Sequence, residues 1–568
     1  MKRNVCILGS LVLAASLLAV PVFAQTGNAP GGTIKNVIIM IPDGMSVAGT
    51  TLARLVKGSS LALDEQSCGL VSTWSSDGTI ADSAPAGSAY STGWKSQTGY
   101  VATLGKDYSL PGVRKPADGE TLRPVATILE AARLSGRSTG MISTSEFMHA
   151  TPADFAAHDG SRSNYDNLTE QIVYNGLNVV LGGGIRYLTP AARKDKEDML
   201  GILRGRGYAY VENTTGFKTA TGDKLFGLFG KNASATAMAY DIDRDPEREP
   251  SLSEMTAKAL EILGKNPKGF FLMVEGSKID WAAHANDPAG IVSDVLAFDT
   301  AVQTALDFAK TDRNTVVVAL TDHGNSGISI GDRSISSGYD KTNFSTFVNP
   351  IKKARLTGEG LEAVLPSSMS VVKKDAAGKD TSVMTVNPDK VADIRKVMAD
   401  YYGISDLTDA EVEAIAITRA GSMNYTVGAM LAVRAKIGFT TNGHTGEDVV
   451  LYAYDPSGNR PTGLIDNTDV AKYMAMSMGL DLDATTARLF VEAKSAFEKL
   501  GATVSEDKTD AENPVLVAVS KDGKNTLRIP RNKSIAFLNG AQVDSDGVTI
   551  FNGTKWYVAR SLVDLIKK

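Results

Sequence analysis

Aspartate and histidine recur in this chain at spacings that suit metal binding. In Val274-Glu275-Gly276-Ser277-Lys278-Ile279-Asp280-Trp281-Ala282-Ala283-His284, Asp280 and His284 stand four residues apart. On a helix that spacing puts both on one face, where they can share an ion. Asp322 and His323 are adjacent and followed by Gly324, and His444 lies in Thr441-Asn442-Gly443-His444-Thr445-Gly446-Glu447-Asp448, whose glycines let the backbone approach a ligand closely. Mixed imidazole and carboxylate ligands suit zinc, and their number suggests two ions rather than one. Two ions about 3.5–4 Å apart stabilise both the attacking and the leaving oxygen of an in-line phosphoryl displacement. Such chemistry needs a nucleophile, and Ser83 is the candidate. It follows Asp82 and precedes the small residues Ala84-Pro85-Ala86-Gly87-Ser88, so a helix starts directly behind its hydroxyl with N–H groups that favour an anion. A serine at a helix start is by itself more often a cap than a nucleophile. Bound to a metal, however, the hydroxyl is deprotonated without a histidine base.

Apolar runs must hold these residues in place. Val37–Ile41, Phe270–Val274 and Thr315–Leu320 read as strands buried on both faces, and each is followed closely by an acid: Asp43, Glu275 and Asp322. Three strands delivering carboxylates at one end match the ligand-binding edge of an open α/β sheet. Helical periodicity from Pro124 to Leu134 and from Ser251 to Leu263 alternates with the strands, which predicts a three-layer α/β sandwich around a mostly parallel sheet. From about 331 to 438 the strand rhythm is lost, marking an insertion beside the site or at a dimer contact. Within it, Thr408 and Glu411 are spaced as a capping box for a helix through Ile415. A strand returns at Val449–Tyr454, a helix follows from Asp469 to Met478, and a second is expected from Ala484 to Leu500. The polar segment Ser505–Glu512 reads as a linker. Beyond Pro514, short apolar runs separated by Asp-Gly and Asn-Gly pairs predict a small β-rich domain with a terminal helix. The expected divisions are a signal peptide at 1–24, a catalytic domain at 25–482, a helix and linker at 483–513 and the β-rich unit at 514–568.

The 568 residues, 43% of them hydrophobic, suffice for one large core and a smaller one. A net charge of -5 without long blocks of one sign argues against a nucleic-acid partner. Lys2 and Arg3 followed by an apolar run to Val20 and by Val22-Phe23-Ala24 predict an export signal cleaved after Ala24, and hence a periplasmic or secreted protein. No later run reads as a membrane span. Removing the signal removes Cys6 and leaves Cys68 without an intrachain partner, so rigidity must come from packing, metal or oligomerisation.

With Ser83, the Asp280–His284 pair, Asp322-His323 and His444 in this order, the chain from about 34 to 482 resembles the bacterial alkaline phosphatases. The resemblance implies a homodimeric α/β enzyme with two zinc ions and one magnesium that hydrolyses small phosphate monoesters through a phosphoserine intermediate and releases inorganic phosphate. It assigns Ser83 as the phosphorylated residue and a metal ligand. It also assigns Asp280, His284 and His444 to one zinc; Asp43, Asp322 and His323 to the other; and Asp43, Thr151 and Glu275 to magnesium. Arg162, in His158-Asp159-Gly160-Ser161-Arg162, matches the arginine that grips two phosphate oxygens, a task for a planar fork of donors. His149 replaces an aspartate near magnesium in the enterobacterial pattern, Trp281 replaces a lysine near the phosphate, and His158 is expected either to support the site from behind its ligands or to be structural. The alternatives are a phosphodiesterase-type relative on the same metal core and a non-catalytic exported binding protein. Arg162 and the full ligand set weigh against both. The segment after Pro514 resembles, more weakly, the small N-terminal module of copper amine oxidases and is expected to bind a surface or partner, or to stabilise passively.

Overall fold

The computed structural model describes residues 34–232 and 234–566; the expected signal peptide lies outside them. Ten strands form the main sheet: β1 (Asn36–Ile41), β2 (Ser67–Ser72), β3 (Ser138–Glu146), β4 (Val179–Gly183), β5 (Ala209–Val211), β6 (Leu225–Leu228), β7 (Phe270–Glu275), β8 (Thr315–Ala319), β9 (Val449–Tyr454) and β10 (Gly463–Asp466). Their spatial order is β10-β2-β9-β8-β1-β7-β3-β4-β6-β5, and only β9 runs against the others. The continuous apolar runs have a simple cause, because alternate residues of β1 enter opposite cores. Val37, Ile39 and Ile41 pack on one face while Ile38 and Met40 pack on the other. Burying each such side chain contributes about 1.5–3 kcal/mol, so a strand covered on both sides has no position for a polar residue until it ends.

That ending sets the site. The central strand β1 lies between β8 and β7, with Ile41 beside Glu275 and Met40 beside Ala319. The acids that follow these strands therefore emerge side by side. Because β9 is antiparallel, its beginning lies at the same edge, and His444, just before it, arrives there from the opposite chain direction.

Helix starts follow capping chemistry more closely than apolar periodicity. The helix expected from Pro124 begins at Ile128, because Thr127 and Glu130 close a capping box; Ser251 and Glu254 do the same for Leu252–Leu263. The Pro288–Asp312 helix corrects one reading: it is long and apolar enough to cross a membrane, but 67% of its most apolar window is buried inside the protein. Residues 331–438 carry five helices, a hairpin of Ser370–Lys374 with Asp380–Val386, and a core of their own around Leu361, Ile394, Met398, Tyr402 and Val427. The Thr408–Glu411 box forms and its helix runs Asp409–Ile417. The insertion leaves and rejoins at neighbouring points, where Ser329–Ile330 pairs with Ile437–Gly438.

The C-terminal region departs from expectation twice. The single helix expected over Ala484–Leu500 is two, Leu482–Leu489 and Ala493–Glu498. Between them Phe490 leaves helical geometry and is buried, Val491–Glu492 pairs with Trp556–Val558, and the Glu492 carboxylate caps the second helix. The expected linker is also corrected, because Thr503–Asp507 is the edge strand of a five-stranded antiparallel sheet, paired along its length with Val515–Val519. Charged, exposed side chains are what an edge strand carries to avoid pairing with other molecules, and they imitate a linker in sequence. The small unit thus gathers its core from Ala493 and Phe497 as well as from Leu516, Leu527, Ile529 and Trp556.

Candidate active site and metal centre

Asp43 and Gly44 form the turn after β1. Gly44 has φ +66, and a Cβ there would come within 2.5 Å of Asp280 Oδ1, so glycine allows this turn to meet the Lys278–His284 helix. Asn325 donates to Asp280 Oδ1 at 2.6 Å and fixes that carboxylate. Asp280 Oδ2 is 3.3 Å from His284 Nε2, its Oδ1 is 3.6 Å from His444 Nε2, and the two imidazole nitrogens are 3.2 Å apart. A second group surrounds His323 Nε2, with Asp322 Oδ2 at 3.2 Å, Asp43 Oδ1 at 3.5 Å and Ser83 Oγ at 3.1 Å. The His323 ring stacks on His444 with centroids 3.6 Å apart, so the two groups are contiguous. Three carboxylate and imidazole donors also converge when Asp280 is taken with His323 and His444.

These separations fit a tetrahedral ion. Bonds of about 2.0–2.1 Å to nitrogen and oxygen require donors about 3.4 Å apart. The tautomers fit as well. His284 Nδ1 donates to the carbonyl of Asn442 at 2.6 Å, His323 Nδ1 to Gly324 at 3.1 Å and His444 Nδ1 to Ala81 at 2.8 Å, leaving each Nε2 lone pair turned inward. Beside them Glu275 faces Asp43 and Thr151. Both oxygens of Asp43 and of Glu275, Asp322 Oδ2 and the Thr151 hydroxyl are buried without a hydrogen-bond partner of normal geometry. Burial, reinforced by Asp322, Asp280 and Glu275, pushes the Asp43 carboxyl well above the usual range; burial, reinforced by Asp322, pushes Glu275 to about 8. Burial alone would raise Asp280 too, but the neighbouring imidazoles of His284, His323 and His444 hold it well below that range. Clustered buried carboxylates with unmet oxygens require cations.

Ser83 is not a cap. Asp82 occupies the N-cap position of the Ser83–Thr92 helix and Ser83 is the first helical residue, nearly fully buried, its hydroxyl turned to His323. The Asp82 carboxylate makes no cap bond and instead pairs with Arg162 Nη1. Arg162 Nη2 is 3.2 Å from His149 Nε2. Burial and the Arg162 charge lower His149 to about 3, so the imidazole is neutral and accepts that N–H. Trp281 packs edge-on against His149 with centroids 6.0 Å apart, and the buried Lys278 ammonium lies 4.3 Å from the indole. Lys278 also reaches Glu359 of the insertion at 3.2 Å, so the insertion flanks the helix that carries Asp280. His158 lies apart from the metal ligands: Nδ1 donates to the Ala102 carbonyl at 2.9 Å and Nε2 faces Glu130 at 3.1 Å.

Sequence reading missed Asp82, Asn325 and Lys278 as supports of the site. Asp82 directly precedes the serine and offered a signal; Asn325 and Lys278 act through long-range contacts that no local pattern announces.

A buried serine at a helix start, an arginine held beside it, and carboxylates and imidazoles at the carboxyl edge of a parallel sheet define a phosphatase-type enzyme. The chain belongs to the alkaline phosphatase family, which matches residues 34–480. It is 34% identical over 460 residues to alkaline phosphatase 3 of Bacillus subtilis, covering 77% of this chain and 88% of that protein. It is 31% identical over 500 residues to the repressible alkaline phosphatase of Saccharomyces cerevisiae, covering 80% and 82%. The crystal structure of Thermus thermophilus alkaline phosphatase superposes with a TM-score of 0.66 at 26% identity, covering 79% of this chain and 92% of that one. That of a cold-active alkaline phosphatase from a psychrophilic Shewanella gives 0.64 at 26% identity, covering 78% and 99%. The C-terminal β unit lies beyond the family match.

Proposed function

We propose that the chain is a metal-dependent phosphomonoesterase, exported to the periplasm or beyond and active as a homodimer. It binds two zinc ions, one through Asp280, His284 and His444 and one through Asp43, Asp322, His323 and Ser83, and a magnesium through Asp43, Thr151 and Glu275. One observation carries this reading: the Ser83 hydroxyl lies 3.1 Å from His323 within a set of donors spaced for a divalent ion, next to buried carboxylate oxygens without a hydrogen-bond partner of normal geometry. When bound, the ions supply the positive charge that lowers the serine pKa and stabilises the leaving oxygen.

Arg162 then orients the ester. Each of its terminal nitrogens spends one hydrogen bond on the protein, Nη1 on Asp82 and Nη2 on His149, leaving an N–H on each for two oxygens of one phosphoryl group. Two free oxygens grip best in a monoester, and this favours the monoester over a diester. Ser83 Oγ, its proton released to solvent water, forms a bond to phosphorus in line with the departing alcohol, whose oxygen takes its proton from water. The Ser83–Thr92 helix N-terminus faces the added negative charge. Water then breaks the phosphoserine P–O bond, phosphate leaves and the Ser83 hydroxyl is restored.

The test is hydrolysis of p-nitrophenyl phosphate. Ser83→Ala is expected to lower the rate by about 1,000-fold or more. A Ser83→Ala protein that keeps wild-type hydrolysis would refute serine attack.

A further inference from the structure

The C-terminal unit makes a buried polar contact with the Tyr165–Asn175 helix, which in turn holds the segment that carries Arg162. Asn532 is 2% exposed, has φ +61, and is held in the unit by its own N–H, which donates to the Thr549 carbonyl at 2.8 Å. Its side chain crosses to the Tyr165–Asn175 helix. Oδ1 accepts from Gln171 Nε2 at 3.1 Å, and Nδ2 donates to Asn167 Oδ1 at 3.2 Å and to Glu170 Oε2 at 3.0 Å. Two of these partners clasp the Arg162 segment directly. Gln171 Oε1 accepts from the His158 N–H at 2.7 Å and its Nε2 donates to the His158 carbonyl at 3.1 Å, while Asn167 Nδ2 donates to Asp159 Oδ2 at 2.9 Å. The His158 ring packs edge-on against Phe490, at the junction leading to the C-terminal unit, with centroids 4.6 Å apart. Four residues after His158, Arg162 donates its backbone N–H to Gly99 and its guanidinium to Asp82.

We propose that the C-terminal unit positions the phosphate-gripping arginine, with Asn532 as the positioning residue acting through Gln171 and Asn167 on residues 158–162. The inference rests on the phosphate role given to Arg162 above. A unit that only added stability would need an apolar contact anywhere on the body. Here one buried amide makes three hydrogen bonds, and two of them end on side chains, Gln171 and Asn167, that fix the Arg162 segment. Buried amides satisfied on all sides hold their partners in one geometry, because any other leaves a polar group unpaired.

The test uses the full-length protein, p-nitrophenyl phosphate as substrate and inorganic phosphate as inhibitor. Asn532→Gly removes the amide and tolerates the positive φ. It should raise KM and the phosphate inhibition constant together by about fivefold, with kcat changed by less than about twofold. Gln171→Met cuts the same bridge from the body side and should give the same shift. Ile529→Val, in the core of the C-terminal unit, should lower Tm and leave KM unchanged. Arg162→Ala should raise both constants, and adding Asn532→Gly to it should change them by less than about twofold. Arg162→Ala raising both constants while Asn532→Gly changes only Tm would overturn this inference and spare the role of Arg162. A shift with Gln171→Met and none with Asn532→Gly would also overturn it. Unchanged phosphate inhibition in Arg162→Ala would remove the phosphate role itself, and this inference with it.

Discussion

Two buried polar regions bear on Arg162, and they differ in one respect. At the strand edge, Asp43, Glu275, Thr151 and Asp322 bury oxygens without a hydrogen-bond partner of normal geometry. Behind the Arg162 segment, Asn532, Gln171 and His158 are as deeply buried, yet each is met within the protein: Asn532 by Gln171, Gln171 by the His158 backbone, and the His158 ring by the Ala102 carbonyl and by Glu130, which also accepts the Thr127 N–H. Both regions are costly to desolvate. A cluster left unmet has been built for something the chain does not supply, whereas a cluster that closes on itself fixes a geometry. The first is a ligand site and the second a brace. The same distinction separates the histidines: His284, His323 and His444 turn Nε2 toward open donors, while His158 uses both nitrogens on the protein.

Breaking the brace should cost stability without touching metal. His158→Phe leaves the fully buried Glu130 facing no cation or donor from the ring, and the expected loss is about 3–5 kcal/mol of unfolding free energy, measured by denaturant titration, with metal content unchanged. Loss of metal in that variant would mean that the two regions are not separable.

The brace should also respond to pH, with a smaller effect. Glu170, beside Asn532, is pushed up to about 7, chiefly by burial and also by Glu197 and Asp195, with Lys533 and the Asn532 hydrogen bond pulling it down. A carboxyl whose folded pKa is raised contributes stability that is fully present below its unfolded pKa, near 4.5, and is lost as pH rises through about 7. Stability should therefore fall by on the order of 1–3 kcal/mol between pH 5 and pH 8, and Glu170→Gln should flatten that slope. An unchanged slope in Glu170→Gln would place the titrating group elsewhere.

Much of the site could be read in sequence because its parts sit at strand ends. A run such as Val37–Ile41 stops being apolar where the core stops, so Asp43 marks the sheet edge by itself. The capping boxes at Thr408 and at Ser251 were equally local signals. What escaped was nonlocal or disguised. Thr503–Asp507 carries the charges of an edge strand and passes for a linker. The helix break at Phe490 is set by pairing of Val491 with Val558, far along the chain. The Asp82–Arg162 pair joins residues 80 apart, and Asn532 meets Gln171 across 361. Neither separation leaves a trace in periodicity.

On this reading the unmet oxygens at the strand edge belong to bound metal. The most direct measurement is elemental analysis of the purified protein alongside its hydrolysis of p-nitrophenyl phosphate before and after chelation. Two zinc ions and one magnesium per chain are expected, with hydrolysis lost on chelation and restored by adding both metals back. Full hydrolysis by protein stripped of both metals would contradict it.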